Sequence, residues 1–297
     1  MIRLALVGRG RWGQNYIKAI SQIKECELPK EFIRSRDYAD LLFRKDIDGV
    51  VIATPASTHF KIARQFLKKG FNLLIEKPLT TSLKDALELK KIQKKTNKII
   101  MVGHIYNYNN SFIELINKIE KIGKIRYLES EGSSFNLERK DVSALWDWGP
   151  HDIYMACRVF NKKPLSVSAW DAKTRKNTTN DECFLKLKFK KQVFAFIKLS
   201  WIATEKKRNL KVVGSDGILL FDDLVNEKLK FIDFKNKKIF YKTKNIEPLY
   251  SEVLEFVECI KKNREPKASL DEGIMTIKVL DAAERSLNQN GKEIIIN

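Results

Sequence analysis

The sequence predicts an α/β protein: a shortened doubly wound parallel sheet, then an α+β domain with an open, mainly antiparallel sheet. Three observations carry this. An apolar run, residues 2–7, enters the turn Gly8-Arg9-Gly10-Arg11-Trp12-Gly13, and residues 14–23 continue with apolar side chains at helical spacing. Buried-strand runs then alternate with helical segments as far as about residue 121. Past that point short strand-like runs follow one another with few helices between them.

The elements follow in order. Residues 49–55 read as a strand buried on both faces, and 59–69 as a helix ended by Gly70. Strand 71–75 stops at Glu76-Lys77-Pro78. Ser82 caps a helix carrying Leu83, Ala86, Leu87, Leu89 and Ile92, and 98–103 is the next strand. The second part reads as strands over 125–134, 165–171, 183–189, 193–201, 210–213, 218–221, 229–234 and 238–241. One helix, predicted to open at His151 and run over 151–160, interrupts them, and turns at Lys190-Lys191, Ser215-Asp216-Gly217 and Asn236-Lys237 suggest hairpins. Helices over about 250–262 and 270–290 close the chain.

Composition narrows the function. Net charge is +19, which points toward nucleic acid. The lysines, however, are spread in pairs along the whole chain, with no dense basic block interleaved with aromatics, so no nucleic-acid partner is expected. A positive field would still draw in an anionic small molecule. No run approaches the roughly 18 apolar residues of a membrane span, so no membrane association is expected. Residues 2–7 are a strand containing Arg3 rather than a charged head and an apolar core, so no signal peptide is read there. Four scattered cysteines (Cys26, Cys157, Cys183, Cys259) form no C-x-x-C pair and suit a reducing cytoplasm. None of the three histidines has a cysteine at ligand spacing, so no metal is expected. His59 and His104 read as structural or rim residues.

Four segments carry chemistry. The glycine turn matches the dinucleotide fingerprint in its strand–turn–helix setting. Gly8 permits the turn, Gly10 lets a pyrophosphate approach the backbone, and Gly13 brings the helix close to the strand. Arg11 and Trp12 lie in the same turn, and the helix start attracts phosphate. Thr54 and Pro55 stand at the carboxyl end of a parallel strand, where open α/β sheets bind ligands. Lys77, at the next strand end, offers an ammonium beside a substrate hydroxyl, and Lys77-Pro78 suits a cis peptide. Alone, Glu76-Lys77-Pro78 reads better as a solvated pair ahead of a helix. Asp147 and His151 are four residues apart, and in a helix they share a face. A carboxylate beside an imidazole makes a general base near neutral pH, although a helix-start Asp and a structural His fit the same spacing.

Taken in order, Gly8-x-Gly10-x-x-Gly13, Ala53-Thr54-Pro55, Glu76-Lys77-Pro78 and Asp147-x-x-x-His151 resemble the Gfo/Idh/MocA oxidoreductase family over nearly the whole chain. Residues 103–109, 141–147, Ser200-Trp201 and Asp222-Asp223 resemble its branch acting on nucleotide-linked sugars in surface-polysaccharide pathways. The resemblance implies hydride transfer between a nicotinamide (NAD or NADP) and a sugar or nucleotide-sugar carbon. By that analogy Lys77, Asp147 and His151 are catalytic. Gly8, Gly10, Arg11, Trp12, Gly13, Thr54, Pro55, Glu76 and Lys77 hold the cofactor, and Tyr106 and Asn107 join Lys77, Asp147 and His151 around the substrate. It implies a Rossmann domain over 1–121 and a substrate-binding and oligomerisation domain over 122–297, whose C-terminal helix can pack back on the first domain. The resemblance also implies that the open sheet face makes oligomer contacts, giving a homodimer or homotetramer.

One segment departs from the pattern. A strand, a helix and a second strand usually fill the space between the first helix and the segment 38–42, but residues 24–37 leave room for one strand. If 32–35 is the surviving second strand, Arg34, Ser35 and Arg36 favour the 2′-phosphate of NADP. If that strand is lost, the adenosine end is held loosely. The shortened segment also motivates the alternative, a non-catalytic dinucleotide-binding or sugar-sensing protein on the same fold.

Overall fold

A computed structural model describes residues 1–135, 142–172 and 181–296. The first part runs β1 (Ile2–Val7), α1 (Arg11–Ser21), β2 (Cys26–Glu27), β3 (Ile33–Arg34), β4 (Gly49–Ile52), α2 (His59–Lys68), β5 (Asn72–Ile75), α3 (Leu83–Thr96) and β6 (Ile100–Val102). The second runs α4 (Asn110–Asn117), β7 (Tyr127–Phe135), α5 (Ala144–Phe160), β8 (Ser166–Ala172), β9 (Glu182–Phe189), β10 (Val193–Ser200), β11 (Ile202–Val213), β12 (Gly217–Asp222), β13 (Leu229–Asp233) and β14 (Lys238–Tyr241). The chain closes with α6 (Pro248–Lys262), α7 (Leu270–Leu287) and β15 (Ile294–Ile295).

Two compact units result, one of residues 1–108 and 246–277, the other of residues 109–245 and 278–297. This grouping differs from a linear division at residue 121: α6 and the first half of α7 rejoin the first unit.

The first unit is a parallel sheet in the order β2-β1-β4-β5-β6, with β3 also paired to β1. Leu4, Ala5, Leu6 and Val7 of β1 are fully buried, as a strand covered on both faces requires. β2 follows the start of β1 and β3 follows its end, in the registers Ile2↔Cys26 and Val7↔Arg34. The second strand therefore survives, in two pieces; what is missing is the pair of elements after it. Only a 3₁₀ turn at Ala39–Phe43 leads on to β4. Leu249, Val253, Phe256 and Val257 of α6 pack with Leu6, Tyr16 and Ile20 in one core.

The second unit is a nine-stranded sheet, β14-β13-β12-β11-β7-β10-β9-β8-β15. β10 with β7 is its parallel pair among the described residues, and its other pairings are antiparallel. Alternation along β9 buries Cys183, Leu185, Leu187 and Phe189 on the helix-covered face and exposes Phe184 and Lys186 on the other.

The structure corrects the expected start of α5. The helix begins at Ala144, with Ser143 as its N-cap, and runs through Pro150. Gly149-Pro150 reads as a start because proline is tolerated in a first turn. Here burial decides instead, since α5 is covered along most of its length. A Cβ at Gly149 would stand 3.0 Å from Leu280, so glycine there admits a close neighbour.

Candidate active site

In the first unit the ladder continues one residue beyond each strand, which lines up the strand ends. Gly8 N–H donates to Arg34 O (2.8 Å), Ala53 N–H to Val7 O (2.8 Å), Glu76 N–H to Ile52 O (3.0 Å) and Gly103 N–H to Ile75 O (2.8 Å). This is the carboxyl edge where such sheets bind ligands.

The glycines divide into two kinds. Gly8 sits at φ +114°, and a Cβ there would run into the Ala53 carbonyl. A Cβ on Gly13 would run into Gly8 O. Packing within the chain demands both. Gly10 is different: a Cβ there would meet nothing within 4 Å. No contact among the described residues requires that glycine, so the space over it fits a ligand's close approach. Gly10 is also the N-cap of α1, with no side-chain cap and no acidic residue in the first turn. The helix start is left to an anion. Arg11 and Trp12 flank it, exposed.

His59 ties the two neighbouring strand ends. Fully buried, it points Nδ1 at Pro78 O (2.8 Å) and Nε2 at Thr54 O (2.9 Å). Thr58 Oγ1 donates to Thr54 Oγ1 at 2.7 Å. The Lys77-Pro78 peptide is cis.

Glu76 is buried at the end of β5. Its Oε1 accepts from Trp12 Nε1 and from Tyr16 Oη (2.8 Å), and its Oε2 from the Lys77 backbone N–H (3.0 Å). Burial raises its pKa, while Tyr16, Lys77 and Trp12 oppose the rise. A Cβ on Gly103 would lie 3.3 Å from Glu76, so glycine leaves room for the carboxylate. His104 is buried, and burial with the Lys77 charge pushes its pKa down to about 3. Tyr106 and Asn107 follow β6 in a 3₁₀ turn, both buried. The Asn107 side-chain nitrogen has no hydrogen-bond partner among the described residues.

In the second unit, α5 carries Asp147 and His151 on one face. Asp147 is buried, and Trp201 Nε1 donates to its Oδ2 at 3.4 Å. His151 and Trp148 are half-buried. The next residue, Asp152, is fully buried and pairs with Arg208 at 2.9 Å, while Ser130 Oγ donates to its other oxygen. The Arg208 guanidinium lies 4.7 Å from the centre of the Trp148 ring. Of the expected sugar-branch segments, Asp141 lies outside the described residues.

Sequence reasoning missed Tyr16, Gly103, Asp152, Arg208 and Glu252. Glu252 left a signal, as a carboxylate on the apolar stripe Leu249, Val253, Phe256 of a helix. Among the described residues no cluster could hold a metal, and no helix is long and apolar enough to cross a membrane.

Comparison with known proteins agrees with this edge. The family model described as an oxidoreductase family with an NAD-binding Rossmann fold matches residues 31–104. The GFO/IDH/MocA C-terminal domain matches residues 117–220. A solved structure from Magnetospirillum magnetotacticum MS-1 is 30% identical and superposes with TM-score 0.87 over 95% of this chain and 99% of that one. The chain belongs to the Gfo/Idh/MocA family. Among curated relatives, the 4-carboxy-2-hydroxymuconate-6-semialdehyde dehydrogenase of Sphingobium sp. is 24% identical, covering 98% of this chain and all (100%) of that one. The UDP-N-acetylglucosamine 3-dehydrogenase of Acidithiobacillus ferrooxidans is 27% identical over 57% of each chain. The Gfo/Idh/MocA chain described here is thus an oxidoreductase with a nicotinamide-cofactor fold. Its glycine turn lies ahead of the matched residues and adds an independent observation.

Proposed function

We propose that this protein is an NADP-dependent dehydrogenase or reductase acting on a CH–OH or ketone carbon of a sugar or nucleotide sugar, in surface-polysaccharide synthesis. The observation that carries the reading is Gly10, which the chain's own packing does not require and which the approach of a pyrophosphate does. Gly8, Gly13, Arg11, Trp12, Thr54, Pro55 and Glu76 complete the cofactor edge. A nicotinamide held along this edge would supply or accept the hydride.

His151 moves the hydroxyl proton of the substrate, and Asp147 orients the ring and supports its charged form. Lys77 contacts the substrate oxygen and the nicotinamide ribose. Tyr106 and Asn107 contact the sugar, and the open Asn107 amide is a ready donor to a hydroxyl. NADP is favoured over NAD because β3 ends beside the glycine turn and is followed by Ser35 and Arg36, where an acidic residue would select the ribose diol. The survival of that strand favours a held adenosine end over a loose one. The exposed face around Trp170, Phe184 and Phe196 encloses a concavity of about 710 Å³ and suits burial against a second copy of the chain.

One experiment tests the whole reading. Small molecules released from freshly purified protein are identified by mass, and nucleotide sugars are then offered with NADP or NAD. Release of NADP and sugar-dependent reduction of added NADP are expected. A protein that carries no nicotinamide dinucleotide and reduces neither form with any sugar rejects it.

A further inference from the structure

Glu252 is fully buried on α6, among the core residues Leu249, Val253 and Phe256. A carboxylate in such a place must be paired or carry its proton. Its Oε1 is 2.9 Å from Tyr16 Oη, and its Oε2 has no hydrogen-bond partner among the described residues. The same Tyr16 Oη lies 2.8 Å from Glu76 Oε1. A phenol has one proton and gives it to one acceptor. The second contact therefore needs a proton from a carboxyl. Glu76 gathers three donors, from Trp12, Tyr16 and the Lys77 N–H, whereas Glu252 has one contact and a bare oxygen. Negative charge belongs on the oxygens with the most donors.

We propose that Glu252 is held as the neutral acid, donates its proton to Tyr16 Oη, and so acts as a positioning residue. It turns the Tyr16 hydroxyl toward Glu76 and keeps the charge of the three groups beside Lys77. Its bearing on the cofactor edge rests on the function proposed above; the proton count does not.

The titratable groups on the elements around it agree. From α1 comes Tyr16, from the end of β5 come Glu76 and Lys77, and from the turn after β6 come His104, Tyr106 and Tyr108. On α6 itself Glu255 is bound to Arg264 at 2.9 Å, and Cys259 is buried. Burial and the Glu76 charge push Glu252 well above the usual carboxyl range, and burial pushes Tyr16 up so that it keeps its own proton.

The test compares chemical unfolding of the wild type and Glu252→Gln from about pH 5 to about pH 8, above the unfolded carboxyl's ordinary value of about 4.3. The amide keeps a donor toward Tyr16 and cannot ionise. Native Glu252 retains a proton that the unfolded chain releases. The wild-type unfolding constant should therefore rise about tenfold per pH unit relative to the variant's. A ratio constant across the range means a native carboxylate and overturns the proposal. Should the variant not fold, the infrared spectrum near neutral pH decides. A protonated-carboxyl carbonyl band that shifts in Tyr16→Phe supports the proposal, and a band that is absent or unmoved overturns it. Neither readout uses cofactor, so failure here leaves the hydride-transfer reading standing, and failure of that reading leaves the proton count intact.

Discussion

Two buried carboxylates, one in each unit, are kept in opposite ways. Asp152 faces a formal cation, Arg208, at 2.9 Å, with Ser130 on its other oxygen. Glu76 is held by an indole N–H, a phenol and a backbone amide, with a second acid behind the phenol. The first arrangement cancels the charge and holds helix α5 to strand β11. The second stabilises the charge with dipoles, and leaves it able to act on Lys77 and on whatever lies over the strand ends. A charge paired with a cation is neutralised; a charge held by dipoles is solvated by the protein.

That contrast can be broken in four places. The largest effect is expected one residue from Asp152, at His151. His151→Ala should lower turnover by about 10²–10⁴-fold, the usual worth of a positioned acid–base group, with little change in melting temperature. Steady-state kinetics beside a thermal melt checks it, and near-wild-type turnover removes His151 from the chemistry. Asp152→Ala should do the reverse and cost about 3–5 kcal/mol of stability, because it removes the carboxylate paired with a buried guanidinium. Denaturant titration measures this, and Asp152→Leu with Arg208→Met should recover much of the loss. Glu76→Gln turns an amide N–H toward the Lys77 N–H and should cost about 1–3 kcal/mol, less than the broken ion pair. An equal or greater loss would erase the distinction between the two sites.

The smallest effect over any one pH unit is in acid. Native His104 titrates at about 3, against about 6.5 in the unfolded chain. Between those values the unfolded state takes up a proton that the native state refuses. The His104 contribution to stability is complete above about pH 6.5 and falls by about 1.4 kcal/mol per pH unit as the pH drops toward the native value. His104→Gln should flatten that limb in a pH series of unfolding midpoints.

The motifs that the sequence made legible are local. The glycine turn, the Glu76-Lys77-Pro78 strand end and the Asp147/His151 spacing each lie within a few residues; the first two fall on the predicted kind of element, and the third falls within one helix that starts seven residues earlier than expected. What escaped depends on distance or on a losing local signal. Glu252 meets Tyr16 across 236 positions, which periodicity does not detect. Pro150 announced a helix start, and burial of Ala144, Leu145 and Trp146 overrode it. The two-residue β15 at the sheet edge is too short to leave a pattern. The shortened segment was visible as a length, but only pairing could say which elements remained. Leu6↔Ile33 and Val7↔Arg34 answer that.

Losing those elements uncovers a margin of the parallel sheet. An unprotected margin offers its N–H and C=O groups to stray chains and invites sticking. Here the outermost strand is cut into two dipeptides by Pro29 and a 3₁₀ turn at Lys30–Phe32, so no long template is presented. At the opposite margin, Val102 N–H donates to Ala268 O at 2.9 Å and occupies the place a foreign strand would take. The protein has thinned its sheet without making it adhesive.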